Sequence, residues 1–226
     1  MALAGHAHAA GGAYVVDVAD VGAPGNCKVE SWLSLADNHD FIGSVAPTCV
    51  VDFFRPVELN AQISRFRADG EWGSAVAPKA KTNIIPTGIG TWGVAISSTA
   101  AIDLTTGEMA AVAATVPATL RLSEDMRINI NGGWLWDRIV DRHYLTYGLG
   151  FDWRTSDNVF TLTAEIFGLA GSSEFAGVTQ PRFQAGIRFR PVDRFSIDFI
   201  YGRNLVGENA NWLTVATTVR FPASKE

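Results

Sequence analysis

Arg182, Gln184, Arg188 and Arg190 share one parity of the stretch RFQAGIRFR, while Phe183, Ala185, Ile187 and Phe189 share the other. A guanidinium stays protonated at every biological pH, so a row of them can attract, orient or exclude charged solutes but cannot shuttle protons. The same parity rule collects Lys79, Lys81, Arg127, Asp152, Arg154, Glu165, Asp198 and Arg220 on polar faces of other segments, with Glu58, Asn60, Gln62, Asn129, Asn131, Thr163 and Thr214 among them. Basic groups facing acids in this way form either a constriction that sorts solutes by size and charge or a set of cross-links that fills a narrow barrel.

Spacings that would carry covalent or hydrolytic chemistry are missing from the sequence. Of four histidines, His6 and His8 sit near the N-terminus, and His39 and His143 lack a local Ser or Asp arrangement of the triad kind. There is no H-E-x-x-H, Walker A or C-x-x-C spacing. Gly88-Ile89-Gly90 precedes no helical pattern and so does not read as a phosphate loop. The expectation is a protein that is not an enzyme and carries no metal or cofactor, the main competitor being a barrel lipase assembled from loop residues.

The elements that must hold the ionic rows are strands, because only period two puts alternate residues on opposite faces. RFSIDFIYG repeats the pattern with Phe195, Ile197, Phe199 and Tyr201 on its apolar face, and WLTVATTVRF with Leu213, Val215, Val219 and Phe221. About twelve such segments run through the chain, at 28–36, 41–53, 57–67, 72–84, 89–103, 108–122, 126–136, 143–154, 158–169, 181–190, 194–204 and 211–221. Their lengths centre near the ~9–11 residues that cross a bilayer at a tilt. An Arg or Lys facing lipid at mid-depth costs roughly 2–4 kcal/mol, so the charged face must turn inward and the apolar face outward.

Turns rich in Pro, Gly, Asp and Asn follow every second strand: Arg55-Pro56, Pro86-Thr87-Gly88, Ser123-Glu124-Asp125, Thr155-Ser156-Asp157-Asn158 and Pro191-Val192-Asp193. The other connectors include the longer 137–142, 170–180 and 205–210. Tight turns on the periplasmic side and longer loops outside are the outer-membrane pattern, and an even strand count puts both ends of the barrel chain with the tight turns. Pro47, Pro78 and Pro117 fall inside proposed strands and call for bulges, strand ends or shifted boundaries. Trp72, Trp92, Trp134, Trp136, Tyr144, Trp153, Phe160, Phe195 and Phe221 fall near strand ends, as membrane-interface girdles require. Trp212 has inward parity.

Cys27 and Cys49 lie eleven residues either side of Asn38, the centre of the first hairpin connector. Residues equidistant from a hairpin turn sit opposite each other, so a cross-strand disulfide suited to an oxidising compartment is expected, two buried free thiols being the alternative.

Charged residues make up 18% of the 226, no apolar run is long enough for a transmembrane helix, and the net charge of −5 argues against nucleic acid as a partner. Ala7-His8-Ala9 has the small-x-small form of a signal-peptidase site. Residues 1–12 are therefore expected as a signal-peptide remnant or flexible tail, 13–27 as a periplasmic segment, 28–221 as one barrel domain and 222–226 as a short tail.

The stretch PRFQAGIRFRPVDRFSIDFIYGRNLVGENANWLTVATTVRF resembles the C-terminal half of the outer-membrane transporter family of the meta-pathway of phenol degradation. The Asp193-Arg194 turn, the strand carrying Asp198, Tyr201 and Gly202, and the terminal Arg220-Phe221 carry the likeness, which covers roughly the last ninety residues well and the first half loosely. HYLTYGLGFDWR and TLTAEIFGL fit it too. The resemblance implies a bacterial outer-membrane barrel that passes small solutes, aromatic ones among them, and a terminal aromatic read by the insertion machinery, although PASKE follows Phe221 here.

The resulting expectation is all-β: a transmembrane up-and-down antiparallel barrel of about twelve strands, monomeric, in contact with the lipid bilayer and acting as a passive channel. The competing readings are a plugged structural barrel of the envelope and a soluble β-barrel binding an apolar ligand.

Overall fold

The computed structural model describes residues 13–171, 179–207 and 210–221. Every alternating segment becomes a strand: β1 Cys27–Ala36, β2 Phe41–Asp52, β3 Pro56–Ala68, β4 Glu71–Ile85, β5 Trp92–Asp103, β6 Met109–Arg121, β7 Met126–Asp137, β8 Arg142–Arg154, β9 Phe160–Ala170, β10 Arg182–Val192, β11 Phe195–Asn204 and β12 Asn211–Phe221. Each pairs antiparallel with its neighbours in sequence, and β1 pairs with β12 from Cys27 opposite Phe221 to Ala36 opposite Trp212. The closed ring leaves no unpaired sheet edge. Hydroxyl pairs reinforce the closing seam, Ser34–Thr214 at 2.6 Å and Ser31–Thr217 at 2.9 Å.

The ring is turned with its greasy side out. Leu33, Leu149, Phe199, Leu213 and Val215 are exposed, whereas Asn60, Lys79, Asp152, Gln184 and Asp198 are buried inside. Such an exterior matches a hydrocarbon environment and would be costly in water. Trp72, Trp134 and Trp136 lie outward near one end, and Trp92, Trp153, Phe160 and Phe221 outward near the other. Tyr144 departs from its expected outward place: it is buried on the inner face, packed with Leu135 and Ala113. It shares the parity of Gly148, Gly150 and Asp152, so the strict alternation of β8 carries it inward.

Neither bulges nor strand ends accommodate the three prolines. Each keeps its pairing on one side, Pro47 with Val29, Pro78 with Ala61 and Pro117 with Asn131. On the other side the ladder skips two residue pairs and resumes in the same register, as between Val45–Ile63 and Thr48–Asn60. The same happens between Val76–Ile102 and Lys79–Thr99, and between Val94–Ala118 and Ser97–Thr115. A proline that lacks its N–H interrupts only the ladder on one flank, and the continuous strand on the other holds the register.

The connectors alternate in length less regularly than expected. Residues 171–181 and 205–210 are the long ones on the side away from the barrel termini, but Asp69 and Gly70 there form a two-residue hairpin with φ of 51° and 83°. Positive φ at both central residues is the type I′ geometry that matches strand twist and favours Asp-Gly. Cys27 and Cys49 pair in register and are disulfide-bonded, with Cα atoms 4.1 Å apart, at the rim where the barrel chain begins and ends.

Residues 13–22, part of the 13–27 stretch expected as a periplasmic segment, run inside the ring as an extended strap and return to the rim, where Gly25 donates to the Val50 carbonyl. Residues 1–12 and 222–226 lie outside the described residues.

Candidate functional site

The lumen wall is a continuous polar network. Asp152 on β8 accepts from Arg127 Nε at 2.6 Å, Asn129 Nδ2 at 2.9 Å and Thr163 Oγ1 at 2.6 Å. Asn60 donates to Thr48, the Ser44 and Ser64 hydroxyls are hydrogen-bonded at 2.8 Å, and Thr119 donates to Asn129. Arg188 Nε meets Asp198 at 2.8 Å across the β10–β11 pair, where the two residues are register partners. Buried polar groups satisfied in this way rigidify a barrel whose inner apolar clusters are small, Ala113 with Leu135 and Tyr144, and Trp32 with Ala46 and Ala216.

The strap crosses this lumen and bonds to wall residues from β4 to β10. Val15 N–H donates to Glu165, Asp17 N–H to Asn131 Oδ1 and Ala19 N–H to Thr119. Asn131 Nδ2 donates back to the Asp17 carbonyl, and the side-chain amides of Asn83 and Gln184 donate to the carbonyls of Ala19 and Ala13. The Asp17 carboxylate lies 2.5 Å from Lys79 Nζ and 3.1 Å from Lys81 Nζ, and Glu58 is 3.3 Å from the second lysine. Asp20 meets Arg121 at 3.1 Å and Arg127 at 3.6 Å. The Tyr14 ring lies 5.7 Å from the Arg188 guanidinium.

The wall is shaped to the strap. A Cβ built on Gly148 would come within 2.8 Å of Val16, one on Gly150 within 3.3 Å, and one on Gly186 within 2.6 Å of the Tyr14 hydroxyl. Val16 is correspondingly buried. Beside the strap a cavity of about 170 Å³ remains, lined by Lys28, Glu30, Trp32, Arg188, Asp198 and Thr218 among others.

Of the residues singled out by parity, Lys79, Lys81, Asp152, Glu165 and Asp198 are buried in the lumen. Arg127, Arg188 and Arg220 are partly buried beside them, Arg220 donating to Ser196. Arg127 pairs with Asp152 and Arg188 with Asp198; Glu165 instead takes a strap amide and Gln184 Nε2 at 2.8 Å. Arg154 sits at the rim, bonded to Asp125 and the Glu124 carbonyl, and Arg182 lies near the opposite mouth with the parity of Gln184. Trp212 shares the inward parity of Thr214 and stands opposite Gly202, where any Cβ would strike its ring.

Asp17 and Val16 were not found from the sequence. A signal existed: Lys79 and Lys81 are flanked on neighbouring strands by Asn60, Thr99 and Ser97, with Glu58 the only acid in register. Two lysines at adjacent inward positions with one acid between them require a further anion.

A family model described as "Uncharacterised conserved protein UCP029691" matches residues 1–221, so the chain belongs to that family. No curated protein matches the sequence. Solved structures share the fold. A KdgM porin in complex with disordered oligogalacturonate has a TM-score of 0.68 at 9% identity, covering 86% of this chain and 99% of its own. The COG4313 outer membrane channel from Pseudomonas putida F1 scores 0.65 at 13% identity, covering 89% and 97%. A NanC porin scores 0.66 at 6% identity, covering 84% and 98%.

Proposed function

We propose that this chain is a bacterial outer-membrane barrel that admits small solutes passively, with its conductance limited by the strap. The observation that carries the reading is the inversion of polarity: ionic pairs line a cavity inside a ring whose exterior is exposed Leu, Val, Phe and Trp. A soluble barrel would bury the apolar face instead. Its partners are then the bilayer, the insertion machinery and small solutes, and a single copy suffices because the ring closes on itself. The tight turns and both barrel termini face the periplasm in this reading. The resemblance to the phenol meta-pathway transporters supports aromatic compounds among the solutes, and a transport role, rather than catalysis, accords with the porin fold. Arg127, Arg188 and Arg220, with Asp152, Glu165 and Asp198, set the selectivity.

Planar-bilayer recording tests this. Discrete single-channel steps from barrel that shifts its gel mobility on heating are expected. Folded barrel with no conductance would overturn the channel reading in favour of a plugged envelope barrel, which the strap favours.

A further inference from the structure

The strap fills a receptor whose chemistry can be read from its walls. On β4, Lys79 and Lys81 hold the Asp17 carboxylate, and their side chains are only 5% and 3% exposed. With Asp17 withdrawn, Lys81 keeps Glu58 at 3.3 Å and, among the described residues, Lys79 keeps no ion-pair partner. On β7, Asn131 offers a donor and an acceptor together. On β8, the absent side chains of Gly148 and Gly150 leave a shelf that Val16 covers. These features ask for one kind of molecule: an anionic head for the lysine pair and a compact apolar body for the shelf.

We propose that the lumen wall beneath the strap is a binding site for small carboxylates bearing an apolar body, and that Val16 and Asp17 occupy it as a tethered competitor. The proposal rests on the channel reading, since the solute must enter the lumen. A free carboxylate replaces Asp17 between the lysines, its body displaces the valine side chain from the glycine shelf, and the strap shifts aside. A neutral analogue of the same shape gains the shelf without the lysines. A small carboxylate without a body gains the lysines without the shelf. A tethered group competes at an effective concentration in the millimolar range. Weakening it therefore raises apparent affinity for the free ligand.

The test is titration calorimetry on the full chain in detergent, with benzoate, benzamide and acetate as probes. Asp17→Asn is expected to tighten benzoate at least about tenfold relative to the unaltered protein, by removal of the competing charge. Acetate and benzamide should each gain less, acetate because it lacks the body for the shelf and benzamide because it lacks the charge for the lysines. Adding Lys79→Met to Asp17→Asn should abolish the gain. Should Asp17→Asn not fold, Val16→Gly unseats the strap without touching a charge and should tighten benzoate several-fold. Equal benzoate affinity in altered and unaltered protein, or an equal gain for benzamide, overturns the site. Bilayer recording on the same samples separates the two claims. A conducting barrel without the benzoate gain loses the site and keeps the channel. A silent barrel with the gain loses the channel and keeps the site.

Discussion

Replacing Arg188 by Met asks how dry the lumen is. The Asp198 side chain is 2% exposed and, among the described residues, its one ion-pair partner is Arg188, itself 20% exposed, at 2.8 Å. Stripping one member from a buried pair leaves an uncompensated charge and costs roughly 3–5 kcal/mol in a dry interior. Both residues border the cavity of about 170 Å³, and the Arg220 guanidinium lies on the neighbouring strand, so the lower end of that range applies. Arg188→Met should therefore lower barrel stability by about 3 kcal/mol, while the Arg188→Met, Asp198→Leu double variant should recover most of the loss because no charge is left unpaired. Urea titration in lipid vesicles, followed by tryptophan fluorescence and by gel mobility, gives all four corners of the cycle. A single-variant loss below about 1 kcal/mol, with no recovery in the double variant, would be the behaviour of water-screened surface pairs. That result would refute the dry, network-filled lumen and require a wide hydrated bore in which the strap takes little space.

Three further outcomes follow from the same geometry. Replacing Cys27 and Cys49 together by Ser should cost about 3 kcal/mol, from the loop-closure entropy of a 22-residue separation, and a midpoint in urea unchanged from the unaltered protein would contradict it. Leu149→Arg puts a charge on the outer face of β8 and should destabilise the vesicle-bound barrel by roughly 2–4 kcal/mol; a neutral result would mean that this face does not meet hydrocarbon. Asp37, in the connector between β1 and β2, is held below the usual carboxylate range by hydrogen bonds from the Asn211 side chain and backbone. A depressed carboxyl stabilises above its unfolded pKa, about 3.9, and loses that contribution as pH falls through the folded value. Amide exchange at Asn211 should thus accelerate only below pH of about 3.9, and a midpoint at or above that value would show that the contact does not form.

The strands were legible because their signal is local. Alternation over ten residues fixes which face each side chain takes, and hydrocarbon outside admits one choice of sign. The disulfide was legible for the same reason, since Cys27 and Cys49 need only be equidistant from one hairpin centre to become register partners. The prolines misled because the sequence shows a missing donor but not which flank misses it; at Pro47 the β1 ladder persists while the β3 ladder lapses. Tyr144 faces inward because strand parity, not aromatic character, decides its side. The strap was illegible for a deeper reason: its partners are sixty to more than a hundred residues away, as with Asp17 and Lys79 or Val15 and Glu165, and no local period records a contact across a lumen.

The strap also brings the open and the plugged barrel close in energy. Its hold consists of hydrogen bonds to Glu165, Asn131, Thr119, Asn83 and Gln184, each worth roughly 0.5–1.5 kcal/mol, the burial of Val16 at roughly 2 kcal/mol, and the Asp17 ion pair. Against these stands the conformational freedom of residues 13–20, roughly 1–2 kcal/mol for each residue ordered. Eight ordered residues cost roughly 8–16 kcal/mol and the five bonds with Val16 return roughly 5–10 kcal/mol, so the Asp17 ion pair decides how firmly the strap is seated. The tether at its far end is not in play, because Gly25 and Asn26 remain bonded to Val50 on β2. A segment hinged at residue 25 and seated by the Asp17 ion pair can be displaced by a solute that binds the same wall in the micromolar-to-millimolar range, about 4–8 kcal/mol. On the proposed reading, the strap-seated and the unseated barrel are two populations of one molecule, and the ratio between them is set by whatever competes for Lys79 and Lys81.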